Sequence, residues 1–286
     1  MSKGVVLALG GGGARGFAHI GVIEELEKTG FTIRAIAGTS MGAMVGGMYA
    51  AGAMKKFSDF ALGLTIKELR GLVDLTLSPK GILKGEKIFE TLSKEGIPDC
   101  NIENLSVPFM SVATDLITGE TVLLRKGPLF EAIRASIAIP NLFTPVIKDQ
   151  MKLMDGGITC PLPVQYMKRI QSDDLIVAVN LSGKGPAPVF VEPFDQSAKS
   201  GWMKIFSRFP DKLKPEFQFE YIMQAQQAIE LMQVELARLS IACYPPDMVI
   251  EIPYKTAHLF EFHRAAEICG LGRAATRKAL QKSDLH

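Results

Sequence analysis

Between Leu7 and Leu26 the chain reads LALGGGGARGFAHIGVIEEL: a short apolar run, four consecutive glycines, then apolar residues at helical spacing. No other stretch constrains the fold as much. A strand that passes through bare backbone into a helix exposes N–H groups at a helix N-terminus, an arrangement that suits a phosphate and an oxyanion equally. Val5 to Leu9 reads as a buried strand. Phe17, Ile20, Ile23 and Leu26 form one helical face opposite Glu24, Glu25, Glu27 and Lys28, with Gly30 closing the helix. Thr32 to Ala37 returns as a second strand and a helix opens near Met41. This β-α-β-α order implies an α/β fold with a parallel sheet and right-handed crossovers.

Farther along, Lys87 to Lys94 predicts a helix ended by Gly96, and PFMSVATDLITGETVLLR predicts two strands turning at Thr118 and Gly119. LIVAVNL, Leu175 to Leu181, is a continuous apolar run of the kind found in central strands. The Pro-, Gly- and Ser-rich piece from Gly183 to Gly201 separates this sheet-forming part from a helical C-terminal part. There a long helix is expected from Pro215 to Tyr244, stopped by Pro245 and Pro246. Ile222, Ile229, Leu236 and Cys243 recur every seven residues, with Ala225, Met232 and Leu239 between them. That stripe fits either a seam with a second subunit, hence a homodimer, or packing on the protein's own sheet, which is the preferred reading. The expected organisation is a catalytic core over 1–183, a loop, lid or membrane-contact segment over 184–214, and a helical part over 215–286 packed on the same domain.

Composition excludes several classes. With 47% hydrophobic and 22% charged residues over 286 positions, the chain is globular, neither disordered nor collagenous. A net charge of +2 provides no field for nucleic acid, which is not expected as a partner. Val5 to Leu9 is too short for a signal h-region, and no stretch is long enough to span a bilayer. Cys100, Cys160, Cys243 and Cys269 lie far apart without CxxC spacing, consistent with free thiols in a reducing compartment and a cytoplasmic location.

The second glycine cluster, AIAGTSMGAMVGGMYAAG, narrows the choice for the first. Gly38, Ser40 and Gly42 have G-x-S-x-G spacing between a strand and a helix, where a serine on a sharp turn needs small residues two positions either side. Ser40 then sits at a helix N-terminus, which favours negative charge developing on its oxygen. A dinucleotide loop would match Gly11, Gly13 and Gly16, but FTIRAIAG lacks the acidic residue that the ribose needs, and no Gly-Lys-Ser/Thr of a P-loop is present. An oxyanion hole needs only backbone donors, and a parallel neighbouring strand brings Gly11, Gly12 and Gly13 beside Ser40. Arg15 either braces that loop through a carboxylate or carbonyl or is a solvated charge at the helix start.

A serine nucleophile needs a base. His19 lies within the first helix and His286 is the last residue, which leaves His258 and His263, after the candidate strand DMVIEIPY, for a Ser-Asp-His order. Asp155, in MKLMDGGITCPLPV, is the better base: a dry carboxylate beside a hydroxyl becomes more basic and takes the proton directly. A turn aspartate before two glycines is the plain alternative.

Three motifs together, GGGARG at Gly11 to Gly16, GTSMG at Gly38 to Gly42 and DGG at Asp155 to Gly157, resemble the patatin-like phospholipase family, as do ATDLITGE and AIRASIAIPNLFTPV between them. The resemblance covers about Val5 to Met167 and continues more weakly to Leu181. It implies a three-layer α/β/α fold with a mainly parallel central sheet, and a serine acyl hydrolase acting on phospholipids, lysophospholipids or other lipid esters without metal or cofactor. It further implies that Ser40 attacks, Asp155 shuttles the proton without histidine, and Gly11, Gly12 and Gly13 hold the oxyanion. Gly157, where many relatives carry alanine, and the extra Gly10 are mild departures.

A lipid hydrolase must meet an interface. SAKSGWMKIFSRFPDKLK interleaves Trp202, Phe206 and Phe209 with basic residues, which suits peripheral membrane contact as well as a loop packed on the core. An acyltransferase with the same nucleophile and a catalytically silent binding protein are the alternative functions.

Overall fold

In the computed structural model, the structure describes residues 3–74, 83–184 and 216–283, with side chains of 216–223 excepted. The segment carrying Trp202, Phe206 and Phe209, together with Pro215 and His286, lies outside the described residues. Among the described residues, eight strands form one sheet: β1 (Gly4–Leu9), β2 (Thr32–Thr39), β3 (Phe109–Asp115), β4 (Thr121–Leu124), β5 (Val146–Lys148), β6 (Met151–Asp155), β7 (Leu175–Gly183) and β8 (Met248–Pro253). The helices are α1 (Ala18–Lys28), α2 (Met41–Ala50), α3 (Met54–Leu62), α4 (Ile66–Gly71), α5 (Glu86–Lys94), α6 (Leu129–Ser136), α7 (Glu216–Cys243) and α8 (Ala265–Lys282).

β1 is buried along its whole length because both of its edges and both of its faces are covered. It pairs in parallel with β2 and β7, and β7 in turn with β8. Val5, Leu7 and Leu9 face a core shared with α1, α2 and α8, while Val6 and Ala8 face Leu162, Val164 and Ala237 of α7 on the opposite side. The result is a mainly parallel mixed sheet with helices on both sides. On the first side α1 and α8 cross closely: a Cβ on Gly21 would lie 2.0 Å from the Cys269 carbonyl, and one on Gly272 2.0 Å from the Ala18 carbonyl.

β3 positions the site. β4 pairs with β3 from Ser111 to Thr114, so it fills one edge of β3 there. β2 pairs in parallel up to Thr39↔Val112, and β6 pairs antiparallel down to Asp155↔Ala113, so both must use the other edge. The two strands therefore meet end to end at adjacent positions of β3. Ser40, the next residue after Thr39, is thereby set against Asp155.

α7 packs against the sheet, but not through the heptad stripe. Gln226, Val234 and Ala237 are its buried positions, whereas Met232 (58% exposed), Leu239 (47%) and Cys243 face outward. Ile229 and Leu236 are half-buried. The physical reason is that the inward face docks through hydrogen bonds: Gln226 donates to the Pro140 carbonyl, Ser240 to the Leu162 carbonyl at 2.9 Å, and Glu230 pairs with Arg15.

Candidate active site

Ser40 stands on the turn from β2 into α2 with φ 54° and ψ −122°, a left-handed conformation rare for a residue with a side chain. Its flanking glycines are obligatory on contact grounds. A Cβ on Gly38 would lie 2.4 Å from the Gly42 carbonyl oxygen, and one on Gly42 2.2 Å from the Leu9 carbonyl oxygen. The turn is pinned from behind: the Ser40 N–H donates to Ser136 Oγ at 2.8 Å, and Ser136 Oγ donates to the Val112 carbonyl at 2.5 Å. Ser136, at the end of α6, is a residue that sequence reasoning missed. The stretch AIRASIAIPNLFTPV pointed to its neighbourhood and not to its role.

The meeting of β2 and β6 brings Ser40 Oγ to 2.6 Å from Asp155 Oδ2, with the hydroxyl donating. The other carboxylate oxygen accepts the Gly157 N–H at 2.8 Å. Both side chains are buried, Ser40 at 5% and Asp155 at 4% exposure. Burial pushes the Asp155 carboxyl up to about 6, against the pull of its hydrogen bonds from Ser40 and Gly157. Gly156 is needed for this approach, since a Cβ there would lie 2.3 Å from the Val112 carbonyl oxygen.

The first glycine run passes over the elbow. A Cβ on Gly11 would lie 3.3 Å from Ser40 Cβ, and one on Gly16 2.2 Å from Met41 Cβ. Its amides are not equivalent. Gly10 donates to the Val179 carbonyl at 3.1 Å, Gly11 to Pro161 at 2.9 Å and Ala14 to Leu259 at 2.9 Å. Of the three glycines expected to donate to an oxyanion, Gly11 is thus already engaged by the chain. Gly12 and Gly13 keep amides with no protein acceptor among the described residues.

Arg15 braces the loop. Its Nη1 donates to the Tyr254 and Ala257 carbonyls at 2.7 and 3.1 Å, and its Nη2 to the Glu230 carboxylate on α7. Its buried Nε has no hydrogen-bond partner among the described residues and sits beside Gly12, 3.4 Å from where a Cβ on that residue would be. Beneath the run, His19 Nε2 donates to the Gly10 carbonyl at 2.8 Å, and burial lowers the imidazole to about 4, so it is neutral. His258 and His263 are exposed, while the buried Ser40 and Asp155 side chains bond to each other and to the Gly157 amide.

α7 roofs this corner, with the Gln233 amide close against Gly157 and Ser240 reaching Gln165 Oε1 at 2.9 Å. A cleft of about 530 Å³ beside Phe60, Leu64 and Leu72 includes none of these groups. Among the described residues, no cluster of three or more His, Cys, Asp or Glu side chains is placed to hold a metal ion, and no helix is long and apolar enough to cross a membrane.

A serine elbow on a mainly parallel sheet clad by helices on both faces places the chain among α/β hydrolytic enzymes. The pattern of the patatin-like phospholipase family matches residues 7–168, and the chain belongs to that family; it is a lipid hydrolase with the patatin fold. An uncharacterised NTE family protein of Mycobacterium tuberculosis is 36% identical over 99% of this chain and 93% of its own length. A protein named lysophospholipase NTE1 from Cryptococcus neoformans is 29% identical over 96% of this chain, which spans 17% of that larger protein. Among solved structures, VipD from Legionella pneumophila aligns over 99% of this chain and 67% of its own, with TM-score 0.48 and 15% identity.

Proposed function

We propose that this protein cleaves carboxylic esters of phospholipids or lysophospholipids through an acyl-Ser40 intermediate, with Asp155 as the only proton shuttle. The observation that carries the reading is the 2.6 Å hydrogen bond from Ser40 Oγ to a buried carboxylate oxygen. With its pKa raised to about 6, Asp155 is ionised at neutral pH yet more basic than an ordinary carboxylate, which suits it to accept the hydroxyl proton as Oγ attacks the ester carbonyl.

The tetrahedral oxyanion is held by the amides of Gly12 and Gly13, which have no protein acceptor among the described residues, and Arg15 acts by fixing the loop that carries them. Asp155 returns the proton to the leaving alcohol. It then activates a water that releases the fatty acid from Ser40, which restores both groups. Gly38 and Gly42 serve by giving room for the elbow. The naming of a relative as a lysophospholipase makes single-chain lipids the first substrates to try.

The test is mass spectrometry of lipids after incubation of lysophosphatidylcholine and phosphatidylcholine micelles with wild type and with Ser40→Ala. Wild type is expected to release free fatty acid and Ser40→Ala none. Equal release by both would overturn the assignment, and acyl groups recovered on an added alcohol instead of water would convert it to a transferase.

A further inference from the structure

The apolar stripe of α7 is not the face that the helix buries, although Ala225, Ile229 and Leu236 are half-buried at its margin. Ala225, Ile229, Met232, Leu236, Leu239 and Cys243 succeed one another at steps of four, three, four, three and four residues, yet Met232 and Leu239 are about half exposed while Gln226 is buried beneath. A stripe of period 3.5 is the seam of two helices that wind around each other, whereas a helix packed on a globular body or lying on a bilayer keeps to 3.6 with a broader apolar face.

Charge points the same way. Across Glu216–Cys243 the helix carries Glu216, Glu220, Glu230 and Glu235 against the single basic residue Arg238, the opposite of the Lys/Arg-rich polar face of an interfacial helix. Glu235 lies next to the seam, and it is neutralised within the chain by Arg238 at 2.7 Å and Lys184 at 3.4 Å. An identical helix placed alongside therefore meets an apolar stripe and no like-charge barrier.

We infer that the α7 seam pairs with the same seam of a second copy of this chain, giving a two-fold dimer. About three heptads of seam is short of a standard-size interface, so the dimer belongs to the weak, concentration-dependent class.

Sedimentation of the full chain is expected to rise with concentration from 31.1 kDa toward twice that mass. Met232→Glu combined with Leu239→Glu changes only outward side chains and is expected to weaken association at least tenfold with unaltered circular dichroism. In a Cys243→Ser background, Met232→Cys is expected to give an oxidative cross-link between copies through the introduced thiol, and a surface control such as Gln227→Cys much less of it. A wild type that stays at one chain mass up to roughly 100 μM would overturn the proposal. So would a dimer insensitive to the paired glutamates. A monomer that floats with phosphatidylcholine–phosphatidylglycerol vesicles, and loses flotation with the glutamates, would reassign the seam to a lipid surface. None of these outcomes depends on the assignment of Ser40 and Asp155.

Discussion

The two halves of the Ser40–Asp155 corner are equally buried and end at neighbouring positions of the same strand, but the fold holds them in place at different kinds of cost. On the β2 side the cost is in the backbone: Ser40 sits at φ 54°, fenced by glycines whose Cβ positions are occupied by main-chain atoms. Such conformations cost on the order of 1–3 kcal/mol at any pH. On the β6 side the backbone of Asp155 is ordinary, with φ −49° and ψ 128°, and the cost is electrostatic, a buried carboxylate with two hydrogen bonds to its oxygens among the described residues. That cost exists only when the group is ionised. A strained alcohol and a desolvated acid are thus held by independent means, and variants can separate them.

The largest effect is expected where the halves act as a unit. Ser40→Ala and Asp155→Asn should each lower kcat/KM for ester hydrolysis by about 10⁴-fold or more, and the double variant should be scarcely worse, because groups acting together are grossly non-additive. His258→Ala and His263→Ala should stay near wild type. A histidine variant as inactive as Ser40→Ala and still folded would replace the pair with a triad.

Next in size, Gly42→Ala should destabilise the fold by about 3 kcal/mol or more in urea titrations, since its methyl group meets the carbonyl of Leu9 at the centre of the sheet. A cost under about 1 kcal/mol would mean that the elbow can shift as a body.

The pH dependence sharpens the contrast. The Asp155 pKa is raised on folding from 3.8 to about 6, so the folded state favours the protonated form; the stability this gives is present below pH 3.8 and lost as pH rises through 6. Asp155→Asn should therefore be more stable than wild type at pH 8, by roughly 3 kcal/mol at most, with the gap closing as pH falls toward 4. His19 works in the opposite sense. Its pKa is lowered from 6.5 to about 4, so its contribution is present above 6.5 and lost on acidification, and the variant comparison is what isolates Asp155. A gap that does not vary with pH would contradict the electrostatic account of the β6 side.

The smallest effect belongs to the β2 side. Ser40→Gly should be more stable than Ser40→Ala by about 1 kcal/mol, because both lose the hydroxyl and only glycine is relieved of the left-handed conformation. Calorimetry at several pH values should show this difference constant, unlike that of Asp155→Asn.

The same division explains what could be read from sequence. The order β1-α1-β2-α2, the elbow glycines and the central strand β7 were legible because each is a local pattern of burial or turn chemistry. Asp155 was legible as a candidate only, since DGG by itself reads sooner as a turn. What makes it more is the antiparallel return of β6 along β3, a pairing with no local signal. Ser136 and the Pro161 carbonyl that occupies the Gly11 amide were hidden for that reason too. α7 shows the converse. Its heptad was plain, but the face that packs mixes Val234 and Ala237 with Gln226, Glu230 and Ser240, whose hydrogen bonds hydrophobic periodicity does not detect.

The proposed role of Asp155 is to make Ser40 nucleophilic. Its most direct test is the rate of fluorophosphonate labelling as a function of pH, with the adduct site read by mass spectrometry, in wild type and in Asp155→Asn. An adduct on Ser40 is expected whose formation rises through about pH 6 in wild type and is about 10²- to 10⁴-fold slower in the variant. Labelling of Asp155→Asn at the wild-type rate, or an adduct on another residue, would contradict it.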